Sequence, residues 1–205
     1  MGSMSRRERE KEKMRIAILE AAISIIADEG YENLSMRKIA DAIEYTATTI
    51  YSYYEDKAQI IADISREVYR SIVINVKNVL VLNKNLPIDK QLELCLKEFV
   101  FTIAKHPEAG KAVIRSGTIA VFGPDEDGVL PEENGILILR DALENGQQHG
   151  VLRKLDENTP WMLVTALIGF SMNMIENKLY ENDNWNELVD AYVGLLMNGI
   201  LPGKE

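Results

Sequence analysis

Cysteine is nearly absent from this chain. Cys95 is the only one, so no internal disulfide forms and no cysteine-based zinc site is expected. Histidine is almost as scarce, with His106 and His149 alone. Both sit at predicted helix ends, where a cation favours the helix dipole. No phosphate loop, Gly-x-Ser-x-Gly elbow or His/Glu metal motif occurs. The chain is therefore read as not an enzyme, with no cofactor and no catalytic or metal residues. Asp125-Glu-Asp-Gly128 has some of the composition of a calcium loop, but the ligand spacing fails and Pro131 interrupts it, which leaves an acidic surface turn. No apolar run reaches the roughly 18 residues that a membrane span needs, and no signal peptide is visible. The expectation is a cytoplasmic protein with no membrane partner. Prolines number six, and long periodic segments separate them. That points to an all-α fold.

Basic charge is also in deficit. The chain has 23 Lys and Arg against 32 Asp and Glu, a net charge of −9, which excludes an indiscriminate nucleic-acid coat. The distribution is uneven, because residues 1–15 alone are net positive, with six basic and three acidic groups. What is plentiful is apolar side chain: 46% of 205 residues are hydrophobic and 27% charged, the balance of a globular protein of one or two domains.

Helical periodicity organises the chain. Met1-Gly-Ser-Met4 is expected to be an artificial extension ahead of a native start at Met4 and is set aside. A first helix is expected from about Arg7 to Asp28, with Ile16, Leu19, Ile23 and Ile26 as its apolar stripe, widened by Ile18, Ala22 and Ile25. Gly30 ends it. Ser35 caps a second helix that turns Ile39, Ala40 and Ile43 inward. The turn Ile43-Glu-Tyr45 leads to Thr46, which caps a short third helix, and Asp56 caps a long fourth one, about 57–82. Further helices are expected at about 87–105, then to about 120, and at 132–149, 160–181 and 184–201. The predicted domains are a helix-turn-helix unit, 5–56, and a helical bundle, 57–205, joined by the long fourth helix.

A helix-turn-helix needs two helices at about 90–120° joined by a turn of 3–4 residues. Ala40 is small enough to let the next helix cross close by, and Ile50 packs back to fix the angle. Ala47, Thr48, Thr49 and Ser52 are then left on the exposed face. Such short side chains let a helix enter a groove about 12 Å wide, and their methyls and hydroxyls suit thymine methyls, base edges and phosphates.

The chain resembles the TetR (tetracycline-repressor-like) family over about 44 residues. The residues that carry the likeness are Ile18-Leu-Glu-Ala-Ala22, Gly30-Tyr31, Ser35-Met-Arg-Lys-Ile-Ala40, Thr49-Ile-Tyr-Ser-Tyr-Tyr54 and Lys57, in order and at family spacing. The resemblance implies a dimeric regulator, most often a repressor, released from a twofold-symmetric double-stranded DNA operator by a small-molecule effector. It assigns DNA contacts to Ser35, Arg37, Ala47, Thr48, Thr49, Tyr51, Tyr53 and Lys57. It also implies a ligand-binding and dimerisation bundle. There the expected pocket residues are Phe99, Ile103, Trp161 and Thr165, and the expected homodimer face is Ala166, Gly169, Leu188, Tyr192, Leu195 and Leu196. Arg115 is a candidate anion partner or a surface ion pair.

Three departures bear on function. Glu44 stands where the family's turn carries glycine, Ala47 where a lysine is common, and Thr48 where a glycine is common. The recognition segment 39–57 has one basic residue, Lys57. Its electrostatics must come from outside it, and the basic segment Arg6–Arg15 is the candidate, read either as a DNA-contacting arm or as a solvated helix start. The same departures motivate the alternative of a dimeric small-molecule- or partner-binding protein that has lost specific DNA recognition.

Overall fold

The computed structural model describes residues 5–115 and 135–203. The polar loop around 123–131, the end of the helix expected near 120 and the start of the one expected at 132 lie outside them, as does the side chain of Arg115. Among the described residues the fold is all-helical: α1 (Arg6–Glu29), α2 (Met36–Ala42), α3 (Ala47–Tyr51), α4 (Lys57–Leu82), α5 (Ile88–Lys105), α6 (Pro107–Arg115), α7 (Gly135–Gln148), α8 (Thr159–Glu176) and α9 (Trp185–Ile200). The chain divides into two compact units, 1–68 with 108–121, and 69–107 with 122–205. α4 contributes residues to both.

In the first unit, local chemistry sets the helix limits. The Ser5 hydroxyl accepts from the Glu8 amide while the Glu8 carboxylate accepts from the Ser5 amide, a complete capping box. Ser35 accepts from the Lys38 amide and Thr46 from the Thr49 amide, each at 3.2 Å, and Asp56 accepts from the Gln59 amide at 2.9 Å. Gly30, at φ +86°, ends α1. The core line on α1 is Ile18, Ala22 and Ile26, all fully buried. Ile16, expected as the first residue of the stripe, is 45% exposed. The buried line follows i, i+4, i+8 and lies one step round the helix from the line read in the sequence. Leu34, Met36, Ile39, Ala40, Ile50, Tyr54, Ile60, Ile61 and Ile64 close the same core.

In the second unit, α5 packs on α8 and α9, and α7 on α8. Leu92, Leu96, Phe99, Val100 and Ile103 face inward, as their spacing predicts. α8 stops at Glu176 rather than near 181, because Lys178 adopts φ +51°, and a 3-10 turn over Leu179–Glu181 follows. Phe170 stacks on Tyr192 at 3.9 Å between ring centroids, and the Tyr192 hydroxyl donates to the Ala166 carbonyl at 2.6 Å. Gly146 lies against Leu152, so that an added Cβ would fall 2.6 Å from Leu152 Cδ1. Gly146→Ala is accordingly expected to cost about 1–3 kcal/mol by overpacking, measured by chemical denaturation; an unchanged midpoint would mean that Leu152 moves aside freely.

Candidate nucleic-acid interface

Ala40, 1% exposed, and Ile50, fully buried, sit where α2 meets α3. The small residue permits the close crossing and the large one fixes it. Burying a side chain such as Ile50 is worth about 1.5–3 kcal/mol. The turn between the helices is closed by the Tyr45 amide donating to the Ala40 carbonyl at 2.9 Å. Within it Glu44 has φ +59°, the left-handed region that glycine adopts freely. A side chain there costs about 1 kcal/mol, so the fold keeps the turn against the residue's preference. Glu44→Gly is expected to raise stability by about 0.5–1 kcal/mol, measured as a higher denaturation midpoint. A loss of stability would mean that the Glu44 side chain makes a contact worth more than the strain.

The sequence-predicted contact residues lie on α2, α3 and the segment after it. Thr48 is exposed, while Ala47 and Thr49 are half-buried. The Thr49 hydroxyl lies 3.0 Å from that of Thr46, which leaves Thr48 as the outermost side chain of the first turn. Tyr51 is 57% exposed and Tyr53 half-buried. Ser35 is occupied in capping α2. The Arg37 side chain is 88% exposed, with Asp41 no nearer than 3.9 Å, so its guanidinium extends into solvent. Lys38, by contrast, is paired with Glu29. Lys57 is docked: its ammonium lies 4.4 Å from the centre of the Tyr31 ring and donates to the Tyr31 carbonyl at 3.3 Å. A phosphate would have to compete with both contacts.

The basic segment is α-helical from Arg6, not extended, and its side chains reach the interface. Arg7, Lys11 and Lys13 line one groove with Tyr45, Ser52 and Tyr53. Glu10 also borders it, but pairs with Arg6 at 2.9 Å. Positive charge missing from α3 thus stands beside the end of α3, supplied by α1. The sequence signal was the charge run; its placement was not readable.

Behind the interface is a polar knot that local patterns do not reveal. Arg15 donates through Nε and Nη2 to one Asp63 oxygen, at 3.0 and 2.8 Å, and Tyr54 donates to the same oxygen at 2.9 Å. Arg66 pairs with the other oxygen. α1, the segment after α3, and α4 are thereby tied together. Burial alone would raise the Asp63 pKa, but the hydrogen bonds from Arg15 and Tyr54 outweigh it and hold the carboxyl below its ordinary value. Burial and the bond to Asp63 push the Tyr54 phenol well above its ordinary value.

The second unit encloses a cavity of about 60 Å³ among α4, α5, α7 and α8. Phe99 lines it. Ile103 is buried but is not among the described lining, and neither are Trp161 and Thr165. Trp161 is 46% exposed, and the Thr165 hydroxyl donates to the Trp161 carbonyl at 2.8 Å. Of the expected dimer face, Gly169 and Leu195 are exposed and Ala166, Leu188, Tyr192 and Leu196 half-buried. Trp161, Met162 and Met172 on α8 and Leu195 on α9 are the large apolar side chains left in solvent there.

Residues 18–64 match the family model described as bacterial regulatory proteins, tetR family. An uncharacterised HTH-type transcriptional regulator of Mycobacterium tuberculosis and one of Mycobacterium bovis are each 29% identical over 110 residues, 54% of this chain and 48% of those proteins. The match thus spans about half the length of these relatives. Among solved structures, a tetR-family regulatory protein from Rhodococcus RHA1 superposes with a TM-score of 0.72 at 16% identity, covering 94% of this chain and 99% of that one. The fatty acid degradation regulator FadR from Bacillus halodurans superposes at 0.70 and 18%, covering 97% and 98%. At these identities the structural likeness speaks to the fold.

Proposed function

We propose that this chain, whose residues 18–64 match the tetR family model, is a cytoplasmic, homodimeric TetR-family repressor released from a twofold-symmetric operator by a small molecule. The observation that carries the DNA reading is the outer face of α3, with Thr48 exposed and Ala47 and Thr49 half-buried beside it, held at a fixed angle by Ala40 and Ile50 and flanked by the groove of Arg7, Lys11 and Lys13. Thr48 and Thr49 read base edges through methyl and hydroxyl. Arg37, Tyr51 and Tyr53 meet the backbone, with Lys57 joining them if it leaves Tyr31. Two half-sites would lie roughly 34–36 Å apart.

The exposed apolar side chains of α8 and α9 support the dimer, since a twofold partner would bury the same surface on both copies. Leu195, 71% exposed, is its best probe. Leu195→Glu is expected to shift the protein from dimer to monomer in sedimentation without loss of helicity. A dimer of unchanged stability would place the interface elsewhere.

Effector response is assigned to α4. It supplies Ile60, Ile61 and Ile64 to one core, and Tyr69, Ile72, Val73 and Val76 to the cavity. A ligand that selects another position of α4 would change the helix-turn-helix state, and operator DNA would weaken ligand binding by the same factor. The experiment is selection of genomic fragments by the purified protein at physiological salt. Recovery of a twofold-symmetric site supports the reading. Recovery of background alone, from a folded dimer, overturns it in favour of a protein that has lost specific DNA recognition.

A further inference from the structure

The cavity in the second unit is several times larger than the roughly 10–15 Å³ that a single water needs. Its described lining carries no charged side chain. Val73 comes from α4, Leu96 and Phe99 from α5, Leu139 and Ala142 from α7, and Leu167 from α8. Two polar atoms border it. The Tyr69 phenol oxygen already accepts from the Gly135 amide at 2.6 Å. The Cys95 thiol is pushed up to about 12 by burial and by the charge of Glu98, so it stays a neutral thiol, carries no charge to pair with and is at most a weak donor. Water in such a space lacks the two to four polar neighbours that hold a buried water. A carboxylate or ammonium would lose its hydration with nothing to replace it, and an unpaired hydroxyl is penalised as well.

From this lining we propose that the cavity is a binding site for an aliphatic chain that enters with an uncharged hydrocarbon end foremost, any polar or charged head remaining outside. The assignment deepens the regulator reading above and rests on it for one point only, that the ligand of this cavity is the effector. Recognition is then by length and shape. Each methylene that enters removes apolar surface from water, and binding strengthens about fourfold per methylene until the space is filled. A polar group at the entering end reverses the gain, because apart from the Tyr69 phenol and the weakly polar Cys95 thiol the described lining is apolar.

The test uses the full chain and the straight primary alcohols from hexanol to dodecanol, followed by calorimetry in the absence of DNA. The affinity is expected to rise about fourfold per methylene over the shorter members and then level off. The α,ω-diol of each length, which must lead with a hydroxyl, is expected to bind at least about tenfold more weakly than the alcohol. Ala142→Phe, which fills the space, is expected to abolish binding while the melting transition shows it folded. Diols that match the alcohols, or an affinity indifferent to chain length, would overturn the proposal in the wild-type chain, whether or not the Ala142 variant folds. The two readings separate cleanly. Alcohols that bind as described but leave an operator complex intact support the cavity assignment and overturn the effector role. A selected operator with no alcohol binding supports the DNA reader and overturns the cavity assignment.

Discussion

Asp63→Asn is expected to lower stability by about 2–3 kcal/mol, one of the two largest effects foreseen here. The exchange keeps the shape of the side chain and removes the charge on which Arg15 and Tyr54 converge. Breaking a fully buried pair costs about 3–5 kcal/mol. The Asp63 side chain is 14% exposed, but that of Arg15 is 35% exposed, so water recovers part of the loss. For a chain of this size the midpoint of thermal unfolding should fall by about 4–10 °C. The pH dependence has a definite sign. The folded carboxyl titrates below its ordinary value, so its contribution is complete above the unfolded pKa of about 3.9 and is lost as pH falls through the folded one. The gap between wild type and Asp63→Asn should thus be full at neutral pH and close in acid. A gap that persists unchanged at pH 3 would assign the effect to packing.

The second large effect concerns DNA. Replacing Arg7, Lys11 and Lys13 together by alanine is expected to reduce the salt dependence of operator binding by up to about 2.7, since each neutralised phosphate contributes about 0.9 to the slope. At physiological ionic strength this corresponds to a loss of roughly 100-fold, equal for specific and random DNA. Binding measured from low to moderate salt checks it. Thr48→Ala should behave oppositely, altering which sequence is preferred and leaving the slope alone. If the triple variant keeps the wild-type slope, the groove beside Tyr45 and Tyr53 faces away from the duplex. These two variants therefore separate positioning from reading.

What was legible in the sequence was local. Ser35, Thr46 and Asp56 cap their helices as their positions announce, and the alternation of Leu92, Leu96, Phe99 and Ile103 gives the inward face of α5. The Ser5–Glu8 capping box is equally readable from its spacing, and it starts α1 at Arg6, one residue before the expected Arg7. The Arg15–Asp63 pair spans 48 residues, and no periodicity within a helix can join such partners. α8 posed a different difficulty. It is apolar almost all round, so spacing does not say which side faces the core; Leu163, Val164 and Leu167 face it, and Trp161 and Thr165 stand outside the described lining of the cavity. The docking of Lys57 on Tyr31 was beyond reach for a third reason. A flexible ammonium can serve solvent, phosphate or an aromatic face, and only the folded neighbourhood decides.

The helical start of α1 has a thermodynamic corollary. Disordered basic arms lose about 1–2 kcal/mol of backbone freedom for each residue they order on DNA. Here Arg7, Lys11 and Lys13 stand on a helix capped at Ser5 and continuous with the buried turns at Ile18, Ala22 and Ile26. Much of that ordering is complete before DNA arrives, so electrostatic attraction is not spent on folding the arm. Rigidity also sets a gauge. At about 1.5 Å per residue, Arg7 and Lys11 are held about 6 Å apart along the helix axis. If the arm meets DNA as proposed, it would favour a strand presented at one height, a selectivity for the shape of the duplex that a loose tail would lack.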